Sequence, residues 1–314
     1  MEGRSAGMEE RVAGMEGRVA NDGYDYGGWI AARDAGMAVL DYLTDRYPHS
    51  SRGEWLERLR AGRVLLQGRA VAPEERLRAG QELVWRRPPW VEPPVPLGFA
   101  VLHRDRHLLA VAKPAGLPTL PGGGYLSHTL LALVRRYDPA AAPLHRLDRG
   151  TSGIVLFART PEARTRLSAA WAEGGVHKSY RALAQGSPGR DRFVIETPIG
   201  PWPGRSSGRP VLAAVADGRP ARTAVQVLER RPGATLLEVT PLTGRAHQIR
   251  IHLAVAGHPL VGEPLYLPGG TPGGGRPGEG GFRLHARYLR FPHPETGATL
   301  TLECRPPADL RGGG

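Results

Sequence analysis

The sequence LHRLDRGTSGIVLFART, from Leu144 to Thr160, runs from a charged, glycine-containing loop directly into an apolar segment. The part that begins at Ile154 is continuously apolar and is typical of a buried strand. The loop before it carries Asp148 between Arg146 and Arg149. A purely structural loop would do as well with Ser or Asn at that place. The stretch therefore predicts a rigid turn beside a sheet, and it raises the question of what the carboxylate does there.

The composition indicates a globular protein. With 314 residues and 40% hydrophobic content, the chain is long enough for one large domain and a smaller one. It has no run of about 18 apolar residues, and its charged N-terminus lacks an apolar core segment, so we expect neither a membrane span nor a secretory signal, and a cytoplasmic location. A single cysteine, Cys304, cannot form an internal disulfide. Without paired Cys or a zinc-type His spacing, no metal site is expected.

The net charge of +12 favours a polyanionic partner, of which nucleic acid is the commonest. Lys113 and Lys178 are the only lysines among 42 basic residues, a bias typical of a GC-rich genome. Such a bias explains why Arg replaces Lys. It does not explain the excess of basic over acidic residues.

The N-terminal part is predicted to contain a tail and a small domain. Residues 1–33 lack sustained periodicity and are expected to be disordered. Residues 34–86 predict two short helices, in DAGMAVLDYLTDRYP and SRGEWLERLRAG, followed by two strand-like runs, RVLLQGRAV and QELVWR. This order resembles the small S4 RNA-binding fold from about Ala35 to Trp85, and a generic α+β cap is the alternative. The proline-rich residues 87–97 predict an extended linker.

Residues 98–310 predict one α+β domain rich in strands. Thr160 followed by Pro161 is a helix start, and a second helix is expected from about His247 to Ala256. Residues 268–281 are glycine-rich and predict a flexible surface loop.

Several local motifs do not carry the chemistry that they suggest. Ser152 lies in GTSGI, but a nucleophile elbow requires glycine where this chain has Ile154. The glycines at 122–124 lack the third glycine of a dinucleotide-binding loop, since position 127 is Ser127. No nucleotide cofactor is therefore expected.

Two further segments combine turns with polar residues that a core would not select. In the strand KSYRA, Tyr180 shares a face with the small Ala182, which leaves space for a stacked base, although a core tyrosine is an equal alternative. In LTGRAHQIRIH, Thr243 can cap a helix whose N–H groups, with Arg245, suit a phosphate. Arg250, if aimed inward, needs a buried carboxylate, and Asp148 is the natural candidate.

Taken together, these motifs resemble the RluA family of pseudouridine synthases. They are HRLD followed by TSG, then KxYxA, then TGRxHQIRxH, in this order, with supporting matches in KPxG, GHPLxG and LHA before HP. The resemblance covers nearly everything from Gly98 to the end and implies a mixed, mainly antiparallel sheet with flanking helices. Glu263, where the family usually has Asp, and the long insert at 268–281 are departures that we expect to lie outside the site.

The resemblance implies an enzyme that isomerises uridine in RNA without a cofactor. The uridine N1–C1′ bond breaks, the uracil turns, and it rejoins C1′ through C5. Asp148 is then the essential carboxylate, either as a nucleophile on the sugar or as the group that triggers base departure. Arg250 would pair with Asp148 and Tyr180 would stack on the uracil, where base stacking contributes roughly 1–3 kcal/mol.

Uridine in structured RNA has to be flipped out of its stack, at a cost of a few kcal/mol that protein contacts must offset. By the same resemblance Arg146 enters the vacated stack or holds the flipped strand. Further RNA contacts are assigned to Arg149, Lys178, Arg245 and His247, and the pocket walls to Ile249 and Leu253. Thr151 and Ser152 are expected to shape the loop.

An S4-like domain ahead of the catalytic domain is the arrangement of the ribosomal-RNA members, so large-subunit rRNA is the expected substrate. A tRNA substrate and a non-catalytic RNA-binding or ribosome-assembly factor are the alternatives. Two RNA-binding parts in one chain predict a monomer, and nothing implies a protein partner or a membrane.

Overall fold

A computed structural model describes residues 10–13, 20–203, 211–275 and 281–312. The described residues form two compact units. The smaller comprises residues 20–92, and the larger comprises residues 10–13 together with those from 93 onward. The division lies within the predicted linker.

The strands of the described residues, in chain order, are β1 (Glu10–Ala13), β2 (Tyr24–Trp29), β3 (Val64–Leu66), β4 (Arg69–Ala70), β5 (Glu82–Arg87), β6 (Gly98–Arg104), β7 (Leu108–Lys113), β8 (Ala142–Pro143), β9 (Ser152–Ala158), β10 (His177–Gln185), β11 (Arg192–Glu196), β12 (Ile199–Pro201), β13 (Leu212–Ala214), β14 (Arg222–Arg231), β15 (Ala234–Pro241), β16 (Leu284–Pro292) and β17 (Thr299–Glu303). The α-helices are α1 (Val39–Arg46), α2 (Arg52–Arg60), α3 (Leu130–Tyr137), α4 (Pro161–Ala172) and α5 (Gln248–Val255). No helix in this part of the chain is long and apolar enough to cross a membrane.

In the smaller unit, two helices accompany a sheet of strand order β2-β5-β3-β4. Helix α2 starts with a capping box, in which Ser51 accepts from the Glu54 N–H and the Glu54 carboxylate accepts from the Ser51 N–H. Trp55 of this helix is buried against Leu43 of α1 and Val64 of β3 in one hydrophobic core. The two helices and the two strand segments predicted for residues 34–86 are confirmed.

The predicted tail is wrong for Tyr24–Trp29. These residues form β2, which pairs with β5 along its whole length, from Tyr24 opposite Arg87 to Trp29 opposite Glu82. The strand is exposed throughout, so the hydrogen bonds to β5 hold it and no apolar alternation marks it in the sequence. Of the remaining tail, residues 1–9 and 14–19 lie outside the described residues, and β1 pairs with β6 of the larger unit.

The larger unit is built on one sheet of strand order β1-β6-β7-β9-β16-β10-β15-β14-β11, with β8 added to β9 and β17 added to β16. Strands β9 and β16 run parallel, and the other pairs in this sheet are antiparallel. The parallel pair therefore joins two antiparallel halves. This confirms the predicted α+β class with a mixed, mainly antiparallel sheet.

Helices flank this sheet. Helix α4 begins as predicted, with the Thr160 hydroxyl accepting from the Ala163 N–H and Pro161 in the first turn. Helix α5 begins one residue after the predicted start at His247. Helix α3, capped by Thr129, was not predicted. In the glycine-rich insert, Pro272 bridges to Tyr266, and residues 276–280 lie outside the described residues.

Candidate active site

Asp148 lies on the loop between β8 and β9, and hydrogen bonds hold this loop on both sides of the residue. Thr119 Oγ1 donates to the Leu147 carbonyl at 2.7 Å and accepts from the Leu147 N–H at 3.2 Å. After Asp148, the Thr151 N–H donates to the Asp148 carbonyl at 3.0 Å and closes the turn. The predicted rigid turn is confirmed, and it leaves the Asp148 carboxylate 18% exposed.

Buried Lys113 anchors the same loop from β7. Its ammonium donates to the carbonyls of Pro114, Leu117 and Arg149, at 2.9, 2.7 and 3.2 Å. Burial lowers the pKa of Lys113 to about 7, and the nearby Asp148 carboxylate opposes this shift. The charged form of Lys113 thus stabilises both the loop and the carboxylate next to it.

His145 attaches the start of the loop to β9. Its Nε2 accepts from the Leu156 N–H at 3.0 Å, and its ring lies 4.8 Å from the Trp171 ring. Burial, helped by the Lys178 charge, lowers the pKa of His145 to about 3. The His145 ring is therefore neutral at neutral pH, and its Nε2 serves as a structural hydrogen-bond acceptor.

Gly153 lets the loop pass close to β16. Its φ is +109°, and an added Cβ would lie 2.2 Å from the Ala286 carbonyl oxygen, so only glycine fits here. In the sheet register, Gly153 lies opposite Ala286, which in turn lies opposite Tyr180 of β10. One small residue therefore separates the loop of Asp148 from Tyr180.

Tyr180 is partly buried and packs against two hydrophobic clusters, one containing Leu147 and the other containing Ala182 and Ile249. Burial raises the pKa of its phenol, and the negative charge of Asp148 raises it further. The ring therefore lies within electrostatic reach of the carboxylate, and its hydroxyl stays protonated at neutral pH.

The predicted pair of Arg250 and Asp148 forms. Arg250 Nη1 donates to Asp148 Oδ2 at 3.1 Å, and the arginine side chain is only 1% exposed. Helix α5 supplies this arginine from its first turn. The guanidinium also lies 4.2 Å from the Phe282 ring centroid, so its planar faces pack on aromatic rings while its edge donates.

The expectation that Glu263 lies outside the site is wrong. Arg250 donates to Glu263 through Nε at 2.8 Å and through Nη2 at 2.6 Å, and the Glu263 side chain is fully buried. Glu263 Oε1 also accepts from the Leu265 N–H at 3.0 Å. Burial lowers the pKa of Arg250, but the hydrogen bonds to Glu263 and the charges of Glu263 and Asp148 together outweigh burial and raise it, so the guanidinium stays charged between two carboxylates.

His247 lies beside the Asp148 carboxylate. Its backbone has a left-handed φ of +57°, and its Nε2 is 3.5 Å from Asp148 Oδ1. Its Nδ1 is 2.6 Å from the Tyr266 hydroxyl. Burial lowers the pKa of His247 although Asp148 opposes the shift, which favours the neutral ring. His247, which the family resemblance assigns to RNA contact, thus contacts the carboxylate, and Tyr266 was not predicted to lie here.

Gln248, rather than Thr243, organises the start of α5. Its side-chain oxygen accepts from the Thr243 hydroxyl at 2.7 Å and from the Arg245 N–H at 3.0 Å. Its amide donates to the Arg222 carbonyl at 2.8 Å. The helix begins only after the left-handed His247, which has no side-chain cap. The predicted capping role of Thr243 is therefore wrong, and this loop is held by a buried glutamine.

The predicted RNA-contact residues differ in exposure. Arg146 is exposed. Arg149 donates to the Tyr125 hydroxyl at 2.5 Å, and Arg245 Nε donates to the Pro220 carbonyl at 3.1 Å. Lys178 Nζ lies 5.8 Å from the Trp171 ring centroid. Arg146 is thus the member of the set whose side chain is most open to solvent.

Ile249 and Leu253 point into the core. They are 6% and 0% exposed and pack in the cluster that contains Ala182 and Tyr180. Because Leu253 is fully buried, the structure does not support its predicted place in the wall of the pocket. Within the described residues, no group of three or more His, Cys, Asp or Glu side chains could hold a metal ion.

Comparison with known proteins identifies the family. The sequence pattern of the family described as RNA pseudouridylate synthase matches residues 107–255. An uncharacterized RNA pseudouridine synthase of Synechocystis is 42% identical over 87% of this chain and 95% of its own length. The ribosomal large subunit pseudouridine synthase D of Xanthomonas campestris is 35% identical over 88% of both chains.

A solved structure supports the fold. The human RNA pseudouridylate synthase domain containing 1 aligns with a TM-score of 0.55 at 27% identity, over 66% of this chain and 83% of that one. As its motifs predict, the chain belongs to the RNA pseudouridine synthase family, whose members are isomerases that convert uridine to pseudouridine in RNA.

Proposed function

We propose that Asp148 is the essential catalytic carboxylate of this pseudouridine synthase. The observation that carries the proposal is the difference in solvent exposure among three side chains that hydrogen bonds link in series, Glu263, Arg250 and Asp148. Glu263 and Arg250 are 0% and 1% exposed, whereas Asp148 is 18% exposed. Of these three side chains, Asp148 is therefore the one that a flipped nucleotide can reach. A carboxylate at that place serves as a nucleophile on C1′ or as the trigger for departure of the base.

The neighbours of Asp148 have supporting roles in this proposal. Arg250 orients one carboxylate oxygen and places a permanent positive charge beside it, because the guanidinium itself cannot lose its proton. Tyr180 offers its ring to the uracil, and the row from Tyr180 through Ala286 to Gly153 sets the distance between the ring and the Asp148 loop. His247, 3.5 Å from the second Asp148 oxygen, borders the opposite side of the carboxylate.

The substrate that we propose is large-subunit ribosomal RNA. Relatives that match 87–88% of this chain carry the names ribosomal large subunit pseudouridine synthase C and D. We further propose that residues 34–86 are an S4-like RNA-binding domain. The order of two helices followed by short strands supports this assignment, and the net charge of +12 of the whole chain favours an RNA partner. Because the chain would then have two RNA-binding parts, we propose that it acts as a monomer.

On the RNA side, exposed Arg146 lies two residues before Asp148. It is placed to enter the gap that the flipped uridine leaves or to hold the displaced strand. Arg245, Arg149 and Lys178 would contact the phosphates nearby. These contacts would offset the few kcal/mol that base flipping costs.

The test of catalysis is release of tritium from C5 of uridine in ribosomal RNA. The wild-type protein should release tritium without added metal or cofactor. A protein that binds the RNA but releases none would be an RNA-binding factor that keeps the fold. Mapping pseudouridine in RNA from a deletion strain then identifies the substrate, because positions lost from tRNA instead of ribosomal RNA would favour a tRNA enzyme.

A further inference from the structure

The smaller unit exposes aromatic rings on strand β2. Tyr24 and Tyr26 are 49% and 43% exposed, although tyrosine rings of a small unit usually find cover. The register of β2 against β5 places Tyr24 opposite Arg87 and Tyr26 opposite Trp85. Directly opposed residues lie on the same face of a sheet. We call Tyr24, Tyr26, Trp85 and Arg87 the aromatic strand surface.

The rings of this surface are arranged in a continuous series. The centroids of Tyr24 and Tyr26 are 4.7 Å apart, with the rings edge to face. Tyr26 and Trp85 stack at 5.4 Å with an interplanar angle of 21°. Tyr26 is thereby held with its ring plane fixed, so it can accept a planar group without losing conformational freedom.

Two guanidinium groups extend the series. Arg87 lies 3.5 Å from the ring centroid of Trp90 and 5.9 Å from that of Trp85. Arg58 lies 4.4 Å from the ring centroid of Trp85 and at the same distance from Trp55. The surface therefore combines flat apolar rings with positive charge.

The acidic groups nearby leave this charge largely in place. Asp25 alternates with Tyr24 and Tyr26 along the strand, so it lies on the opposite face, where it pairs with Arg86 at 3.4 Å. Glu82 lies opposite Trp29 on that same face. Glu54 is 3.9 Å from Arg58 at the edge of α2, a weak and partly exposed pair.

We propose that the aromatic strand surface binds unpaired nucleotides of the RNA substrate by base stacking. Every base offers a π-face, and aromatic side chains beside arginines are the combination that binds single-stranded nucleic acid without reading its sequence. The proposal rests on the RNA substrate of the enzyme, and it adds Tyr24 and Tyr26, which precede the residues 34–86 assigned to the S4-like domain. It is independent of the role of Asp148.

The test compares two double variants of the full chain. Tyr24→Thr with Tyr26→Thr removes both rings but keeps residues that suit a strand. Tyr24→Phe with Tyr26→Phe keeps the rings. The probe is a 5′-labelled single-stranded oligouridine of about 12 nucleotides, with a blunt RNA duplex of the same length as reference. Since each base that stacks on an aromatic ring adds to the affinity, the Thr pair should weaken single-strand binding about tenfold or more.

The expected pattern is specific. The Phe pair should bind the single strand within about twofold of wild type, and duplex binding should be equal in all three proteins. The salt dependence of single-strand binding should not change in the Thr pair, because no cation has been removed. Trp29→Thr is the matched control, since Trp29 is 70% exposed on the opposite face of the same strand. It should bind as wild type does.

A second measurement does not depend on the folding of any variant. Photocrosslinking of a 4-thiouridine oligonucleotide to the wild-type protein, followed by mass spectrometry, should label the peptide that contains Tyr24 and Tyr26. Unchanged single-strand binding by a folded Thr pair, or no crosslink at this peptide, would overturn the proposal. So would a wild-type dimer that the Thr pair dissociates, because the surface would then join two copies of the chain. Single-strand binding by the Thr pair and tritium release by the wild-type protein are separate readouts, so failure of this proposal and failure of the catalytic assignment can be told apart.

Discussion

Glu263 accepts two hydrogen bonds from Arg250, at 2.8 and 2.6 Å, and thereby takes one whole edge of the guanidinium. The remaining nitrogen, Nη1, holds Asp148 at 3.1 Å. A buried cation requires a compensating charge, and Glu263 supplies it independently of Asp148. Asp148 can therefore change its charge or bonding during a reaction without leaving the arginine buried and unpaired.

This division of roles predicts a severe effect of Glu263→Gln on stability. The amide accepts with one oxygen only, and it leaves Arg250 with Asp148 as its sole carboxylate. We expect the free energy of unfolding, measured in urea, to fall by about 3–5 kcal/mol. Glu263→Asp keeps the charge and should lose less. Equal stability of wild type and the Gln variant would contradict the role of Glu263.

Asp148→Asn should have the opposite effect: it should leave stability nearly unchanged and abolish activity. Glu263 still neutralises Arg250 in this variant, and the asparagine oxygen can accept from Nη1. We expect the free energy of unfolding to change by less than about 1 kcal/mol, while tritium release is lost. A loss of stability as large as that of Glu263→Gln would show that both carboxylates are needed to bury the arginine.

Tyr180 is predicted to act through its ring. Tyr180→Phe keeps the stacking surface and should lower kcat/KM only mildly. Tyr180→Ala removes the stacking surface and should lower kcat/KM roughly five- to 150-fold. This corresponds to a loss of about 1–3 kcal/mol in transition-state stabilisation. Because the pKa of this phenol is raised, the Phe variant should keep the wild-type pH profile below pH 10. Similar losses in both variants would point to a role for the hydroxyl.

The environment of Asp105 predicts that the fold loses stability in acid. Burial would raise the pKa of this carboxyl, but hydrogen bonds from His103, the backbone N–H groups of His107 and Leu108, and His293 outweigh burial and lower it to about 2. A depressed pKa stabilises the fold above the unfolded value of 3.8, and this stability is lost as the pH falls from there through about 2. Relative to Asp105→Asn, the wild type should lose about 1 kcal/mol more between pH 5 and pH 2, after discounting for solvent screening. Parallel curves of unfolding free energy against pH would contradict this.

The sequence was sufficient where the residues of the candidate site lie in contiguous motifs. The turn at Asp148, the strand of Tyr180 and the helix of Arg250 are each marked by local patterns, and the pairing of Arg250 with Asp148 follows because a buried guanidinium needs a carboxylate. Glu263 was expected to lie outside the site, and this prediction was wrong. It lies 13 residues from Arg250, on a turn that resembles an ordinary loop, and only the tertiary contact reveals it.

Two other features had weak or misleading signals. Strand β2 depends on its pairing with β5 and is exposed throughout, so residues 24–29 lack the alternation that marks a half-buried strand. His247 adopts a left-handed conformation that turns its ring towards Asp148 and Tyr266. Nothing in the local sequence distinguishes this histidine from one that faces the RNA.

The measurement that tests the central claim most directly is tritium release from C5 of uridine in ribosomal RNA by Asp148→Ala. The claim that Asp148 performs the chemistry predicts less than about 1% of wild-type activity, a loss of at least ~2.7 kcal/mol in transition-state stabilisation, with RNA binding retained. A variant that keeps more than about 1% of the activity would show that Asp148 is not the essential group.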